Sequence, residues 1–353
     1  MTQANSSDKL IDQVNQDWDC YRRLKLDFKE SDSHTDFWNK DFRKLNKKAQ
    51  NKSNIQPKTL KNFRRKKLGV RDNPSTGRYS ILRLLGMFRG ESEMMKRCLT
   101  VVEEMGYAHL LEKYACPTVG NPIVYKTRNY RATHRWLKHI YHLGTLDEVL
   151  KDRLEPGFTS VDIGSSFGGF SYLLHKHYEG SHHILVDLPE QLLFARYFLG
   201  QCFPYARIAG PKEISSAEKL DRQFVEKFDF LLVPPSYYDK FEPGSVDLVT
   251  SFACLGELKR VFFDFYVNAP VFRSAKYLYT ANPVDQHNMF GTDITLFDYP
   301  ILDHNKRLHF RISPIFKFMY GLPSQRGIFG YELRRIFPFF ECIAELQLGN
   351  ISK

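Results

Sequence analysis

Two aspartates and the glycines beside the first carry the clearest chemical signal in this chain. Asp162 stands in VDIGSSFGGFSYLL, Val161 to Leu174, where a buried apolar run enters a turn of small residues and then a helical stretch. Asp187 closes the next apolar run, ILVDLPE. After a parallel strand, such a turn lets the backbone and a helix N-terminus approach an anionic or hydrogen-bond-accepting ligand. Gly164 and Gly168 permit the approach, and Ser165 and Ser166 are small. Dinucleotide and S-adenosylmethionine sites share this geometry. The G-x-G-x-x-G spacing is missing, however, and a carboxylate two positions before the first glycine would repel a pyrophosphate while attracting a cationic amino group. A second carboxylate, at the end of the neighbouring strand, can accept hydrogen bonds from both hydroxyls of a ribose. Turn and acids together favour S-adenosylmethionine over NAD; the plainer alternative is an ordinary βα turn with capping polar residues.

The elements that must position these groups follow from periodicity. FTSVDIG, HHILVDL, FDFLLVP, SVDLVTSFA and AKYLYTAN read as strands of a parallel sheet, with helices such as FSYLLHKHY and EQLLFARYFL between them. That is a doubly wound, Rossmann-like α/β pattern. Residues 1–150 read as a mainly helical N-terminal region and 151–353 as the α/β domain. In the first region, ESEMMKRCLTVVEEMGYAHLLEKYA has apolar residues at helical spacing with Ser92 as its N-cap, TVGNPIVY is a turn, and THRWLKHIYHL carries the stripe Trp136, Leu137, Ile140 and Tyr141. His134, His139 and His142 fall partly on the other face and read as surface residues, as do His175, His177, His182 and His183.

At 353 residues and 42% hydrophobic content the chain can bury a large core. It shows no signal-peptide-like segment and no apolar run of roughly 18 residues, so a cytoplasmic location is expected. Its six scattered cysteines form no C-x-x-C pair and read as reduced thiols, without a zinc site or a disulfide framework. The net charge of +11 is concentrated between Lys40 and Arg71, a basic arm suited to nucleic acid, a peripheral membrane contact or a phosphorylated substrate, or else a solvated segment.

The motifs resemble those of the class I S-adenosylmethionine-dependent methyltransferases. DIGSSFGG follows their acid-x-Gly-x-Gly-x-Gly pattern except at Ser166, where the middle glycine is usual, and VDLPE looks like the second motif of many O-methyltransferases. The order GNP (Gly120 to Pro122), DIGSSFGGFS, ILVDLPE, VPP (Val233 to Pro235) and SVDLVTSFACLGEL is similar to that of the sugar O-methyltransferases of bacterial surface-polysaccharide clusters. This resemblance implies a seven-stranded sheet ending in an antiparallel hairpin, around His309 and Phe340 to Leu348. It also implies a cofactor site of Asp162, Gly164, Ser165, Ser166, Gly168, Asp187, Leu188, Pro234 and Ser251, with Leu188 and Pro234 beside the adenosine and Ser251 near the methionine end.

Methyl transfer to a hydroxyl needs alignment and a base. The candidates at the C-terminal edge of the sheet are His287, Glu257 and Asp285, with His304 further on. His287 is favoured because an imidazole accepts a proton near pH 7 without perturbation. Asp285 and His287, one residue apart, are also a candidate pair for Mg²⁺, although no metal site is otherwise suggested. Phe290, Phe297 and Tyr299 could stack on a sugar face or fill the core. The expected function is O-methylation of a sugar or glycan hydroxyl, the acceptor being nucleotide-linked, lipid-linked or polymeric. A nucleic-acid (RNA) methyltransferase using the basic arm is the alternative, weakened because VPPSYY has Val233 where an amino-methylation motif has Asn. A non-catalytic binding protein on the same fold is the third. Oligomeric state is not legible.

Overall fold

The computed structural model describes residues 2–24, 55–65, 72, 90–127, 129–285, 292–301, 305–316, 324–325, 331–332 and 338–346. Its centre is an eight-stranded sheet. The strands are β1 (Thr159–Ile163), β2 (His182–Val186), β3 (Ile208–Ala209), β4 (Phe230–Val233), β5 (Leu248–Phe252), β6 (Tyr277–Pro283), β7 (Lys306–Ile312) and β8 (Phe339–Glu345), in the spatial order β3-β4-β2-β1-β5-β6-β8-β7. The first six run parallel, and β8 is antiparallel to both β6 and β7. The expected strands and the hairpin are therefore present. The count is eight and not seven, because the two-residue edge strand β3 joins β4, too short for any periodicity to reveal.

Every residue of β1, β4 and β6 is buried, as expected where helices cover both faces of a parallel sheet. Eight helices matter here: α1 (Thr2–Arg23), α2 (Gly90–Glu104), α3 (Ala108–Lys113), α4 (His134–Leu150), α5 (Gly169–His177), α6 (Pro189–Cys202), α7 (Pro211–Ser216) and α8 (Arg260–Asn268). One apolar core fills the space between the sheet and α1, α2, α4, α5 and α6, and a second lies on the opposite face under α7 and α8.

Local chemistry explains the boundaries. Thr133 caps α4 by accepting the N–H of Trp136 at 3.1 Å. The stretch expected as one helix from Ser92 begins earlier, at Gly90, so Ser92 lies inside α2 and does not cap it; it then breaks before α3, where Gly106 takes φ +77. α1 lies on α6, with Leu10 so near Gly200 that a Cβ there would meet its Cδ1 at 2.7 Å. Asp17 pairs with Arg196 at 2.7 Å beneath it.

Within the basic stretch, residues 55–65 are described and do not form a solvated arm. Leu60 and Phe63 are fully buried, and Phe63 stacks on Phe194 with ring centroids 4.9 Å apart. Arg64 donates to Asp72 at 2.5 Å and to the Pro117 carbonyl at 2.6 Å, with its guanidinium 4.8 Å from the ring centre of Phe167. The rest of the stretch lies outside the described residues, apart from this segment.

Candidate functional site

All five parallel strands longer than two residues end at one edge of the sheet, and the loops leaving that edge carry the predicted site residues. β1 delivers Asp162 and the glycine-rich turn. Gly164 turns there at φ +82, and its N–H donates to the Val186 carbonyl at 2.9 Å. A Cβ on Gly164 would lie 2.4 Å from the sulfur of Cys254, so glycine is required by a protein neighbour as well as by the turn. Ser166, in the place of the usual middle glycine, takes φ +54. Gly168 caps α5 at φ +79, where a Cβ would meet Leu185 at 2.8 Å.

Asp162 is buried and Asp187 half-buried. One carboxylate oxygen of Asp162 accepts the hydroxyl of Thr250 at 2.8 Å. Burial pushes its pKa up to about 7, Thr250 opposes that, and Asp187 adds to it. Asp187 accepts the N–H of Ser166 at 2.6 Å and that of Leu188 at 2.7 Å. Burial raises it to about 6 against those two donors. Each carboxyl thus has fewer hydrogen bonds than its ionised form can accept.

Four buried polar atoms on residues near this edge have no partner among the described residues: Ser165 Oγ, Gln191 Nε2, Ser236 Oγ and Ser251 Oγ. Such orphans cost about 1–3 kcal/mol each. Several of them beside two under-donated carboxyls are what a site built for a polar ligand leaves when considered without it. Leu188 and Pro234 are buried at the adjoining strand ends.

Glu257 follows β5 in a 3₁₀ turn, Leu255–Glu257, and is buried. Asn282 holds that turn: its side-chain oxygen accepts the N–H groups of Cys254 at 3.1 Å and Gly256 at 3.4 Å. Ala253 in the same turn has φ +51, an unfavourable value for a residue with a Cβ. Glu257 adds to the raised pKa of Cys254, after burial and Asp187, and the Cys254 sulfur lies where a Cβ on Gly164 would meet it. Asp285 is exposed and bridges to Thr295. His287, Phe290 and His304 lie outside the described residues. Phe297 is exposed, whereas Tyr299 is buried between Phe263 and Phe340 and belongs to the core. No group of three or more potential metal ligands occurs among the described residues.

Of the histidines expected at the surface, His134, His142 and His183 are instead buried, and His139, His175, His177 and His182 are half-buried. His134 and His142 are buried; His142 stacks on Phe252 at 4.0 Å and contacts the Tyr279 hydroxyl at 2.8 Å. His183 is fully buried between Ser160 and Ser181 hydroxyls. Burial holds all three imidazoles neutral. Sequence reasoning also missed α4 as a wall of the site. Its spacing of His134, Lys138 and His142 at four-residue intervals was the available signal. Arg135 lies over the Phe167 ring at 5.9 Å, and the Nε2 of His139 sits where a Cβ on Gly169 would meet it at 3.0 Å.

Similar folds are known. The chain matches no protein-family model and no curated protein. Among solved structures it is similar to the geranyl diphosphate C-methyltransferase of Streptomyces coelicolor A3(2), with 12% identity, TM-score 0.39, and 61% of this chain and 81% of that one covered. TrmN from Thermus thermophilus gives 11% identity and TM-score 0.35 over 62% and 56%. Phosphoethanolamine N-methyltransferase 2 of Haemonchus contortus gives 17% and 0.27 over 40% and 27%. Similarity at this level identifies neither substrate nor reaction. Among the described residues no helix is long and apolar enough to cross a membrane.

Proposed function

We propose that this chain is an S-adenosylmethionine-dependent O-methyltransferase whose acceptor is a sugar or glycan hydroxyl. The observation that carries the cofactor assignment is the pair Asp162, buried, and Asp187, half-buried, at adjacent strand ends with few donors, beside the Ser165, Gln191, Ser236 and Ser251 atoms that have no partner among the described residues. When bound, S-adenosylmethionine supplies an electrophilic methyl group on a sulfonium.

The residues divide the remaining work. Asp187 accepts the ribose hydroxyls, with Gln191 beside it. Asp162 faces the ammonium of the methionine moiety, and a cation there favours its ionised form. Gly164, Ser165, Ser166 and Gly168 form the turn along which the ligand lies; Leu188 and Pro234 flank the adenine, and Ser251 approaches the methionine end. Glu257, buried and held by the Asn282-braced turn, takes the proton from the acceptor hydroxyl. His287 is the other candidate for that step, and Asp285, which is exposed, is the weaker one.

The sugar assignment rests on the order of motifs along the chain. Its test is the fate of a labelled methyl group: incubated with methyl-labelled S-adenosylmethionine, nucleotide sugars, lipid-linked sugars and RNA, the protein should label a carbohydrate fraction. Label in RNA alone would contradict the assignment. With a labelled acceptor in hand, Glu257→Gln should lower the rate constant by about 10²–10⁴-fold, and if His287→Ala does so instead, the proton goes to His287.

A further inference from the structure

As the chain leaves β5 it wraps around one side chain, the fully buried amide of Asn282 on β6. The amide oxygen accepts the N–H groups of Cys254 and Gly256, while the nitrogen donates to the Ser251 carbonyl at 3.4 Å and to the Thr280 hydroxyl at 2.7 Å. Thr292 also holds the loop, donating to the Gly256 carbonyl at 3.4 Å. Inside it Ala253 takes the left-handed φ of +51, a conformation that persists only where the surroundings fix it. Cys254 fills the space that a Cβ on Gly164 would need, so the loop packs directly against the glycine-rich turn. We infer that Asn282 is a positioning residue: by holding residues 253–257 against Gly164, it shapes the wall that receives the amino-acid end of S-adenosylmethionine. This rests on the methyltransferase reading of the same crevice.

The order of the strands decides which end of the ligand that wall can touch. β1 lies between β2 and β5. Asp187, assigned to the ribose, follows β2 on one side; on the other, Thr250 of β5 donates to Asp162 at 2.8 Å and Cys254 reaches Gly164. A ligand with its ribose at Asp187 and its ammonium at Asp162 therefore runs toward β5, and its amino-acid end meets the loop that Asn282 holds. Oxygen and nitrogen of the Asn282 amide each serve two protein partners already, so the residue acts through the loop and not on the ligand. Without its oxygen, the N–H groups of Cys254 and Gly256 lose their acceptor and must find another, which requires the loop to move. The strain at Ala253 favours that movement.

The experiment compares two ligands in calorimetric titrations of the full chain at pH 8: S-adenosylhomocysteine, which carries the amino-acid end, and 5′-methylthioadenosine, which lacks it. Asn282→Ala should weaken S-adenosylhomocysteine binding about tenfold or more, the scale of two hydrogen bonds lost from the loop, and change 5′-methylthioadenosine binding by less than about threefold. A merely structural role would lower the unfolding midpoint without moving the ratio of the two affinities in the folded protein. Hydrogen exchange on the unmutated protein keeps the test decisive should the variant not fold. Protection across residues 253–257 should rise with S-adenosylhomocysteine and stay unchanged with 5′-methylthioadenosine. Equal loss of both ligands, or unchanged S-adenosylhomocysteine affinity in folded Asn282→Ala, would overturn the positioning role, as would equal protection of the loop by both. Failure of the unmutated protein to bind S-adenosylhomocysteine would instead overturn the cofactor reading.

Discussion

Two acidic regions of this molecule behave in opposite ways. Glu341 on β8 is fully buried and receives four donors: His309 and Tyr141 at 3.0 Å, and Arg311 and Ser313 at 2.9 Å. Burial would raise its pKa, yet the His309, Arg311 and Ser313 contacts together hold it below the usual value. Asp162, nearly as buried, and Asp187, half-buried, have one and two hydrogen-bonded neighbours and are pushed up to about 7 and about 6. A buried carboxylate that the fold itself satisfies joins elements, here tying α4 to the β7–β8 hairpin. A buried carboxylate that the fold leaves under-donated is held for something else. The difference separates scaffold from site without reference to any relative.

The contrast can be broken most strongly at Glu341. Glu341→Ala leaves Arg311 and His309 facing an apolar void, and unfolding free energy from denaturant titration should fall by about 3–5 kcal/mol. A change below about 1 kcal/mol would mean that the network is not structural. Asp187→Ala should have the reverse profile. S-adenosylmethionine affinity should weaken by about 1.5–3 kcal/mol, while stability hardly moves; unchanged affinity in a folded variant would remove Asp187 from the ribose position.

Asp162→Asn sharpens the distinction through pH. The folded-state pKa of Asp162 is raised from its ordinary 3.8 to about 7, so between those values the folded protein binds more protons than the unfolded chain. Stability contributed by this group therefore falls as pH rises through that window. The Asn variant, unable to ionise, should be more stable than the parent at pH 8, by about 1–3 kcal/mol, and the advantage should vanish near pH 4. The same variant should bind cofactor less tightly. A variant that is less stable at pH 8 would show that ionised Asp162 is scaffold. The smallest effect is expected at Ser166, whose φ of +54 is strained for a residue with a Cβ. Ser166→Gly should raise thermal stability by about 1 kcal/mol, and a loss of stability would mean that its contacts outweigh the strain.

The strands and the glycine-rich turn were legible because a parallel sheet buried on both faces writes continuous apolar runs, as in VDIG and LVTSF, and ends them in small or acidic residues. β3 escaped because two residues carry no period. The buried histidines escaped for a different reason. A polar ring is admitted to a core wherever a hydroxyl meets it, and Tyr279 for His142 or Ser160 for His183 are partners far away in sequence. Asn282, which braces the Glu257 turn, gave no signal beyond its place at a strand end. Arg64 was read as one charge of a basic arm because its partner Asp72 and the Phe167 ring are fixed only by the fold.

The central claim is that the crevice at the strand ends holds S-adenosylmethionine, and calorimetric titration with S-adenosylhomocysteine at pH 8 and pH 5.5 tests it most directly. The ligand's ammonium favours ionised Asp162, so affinity should be higher at pH 8 and fall as pH drops through about 7. NAD should neither bind nor compete. No binding of S-adenosylhomocysteine to the folded protein at either pH, or its displacement by micromolar NAD, would contradict the assignment.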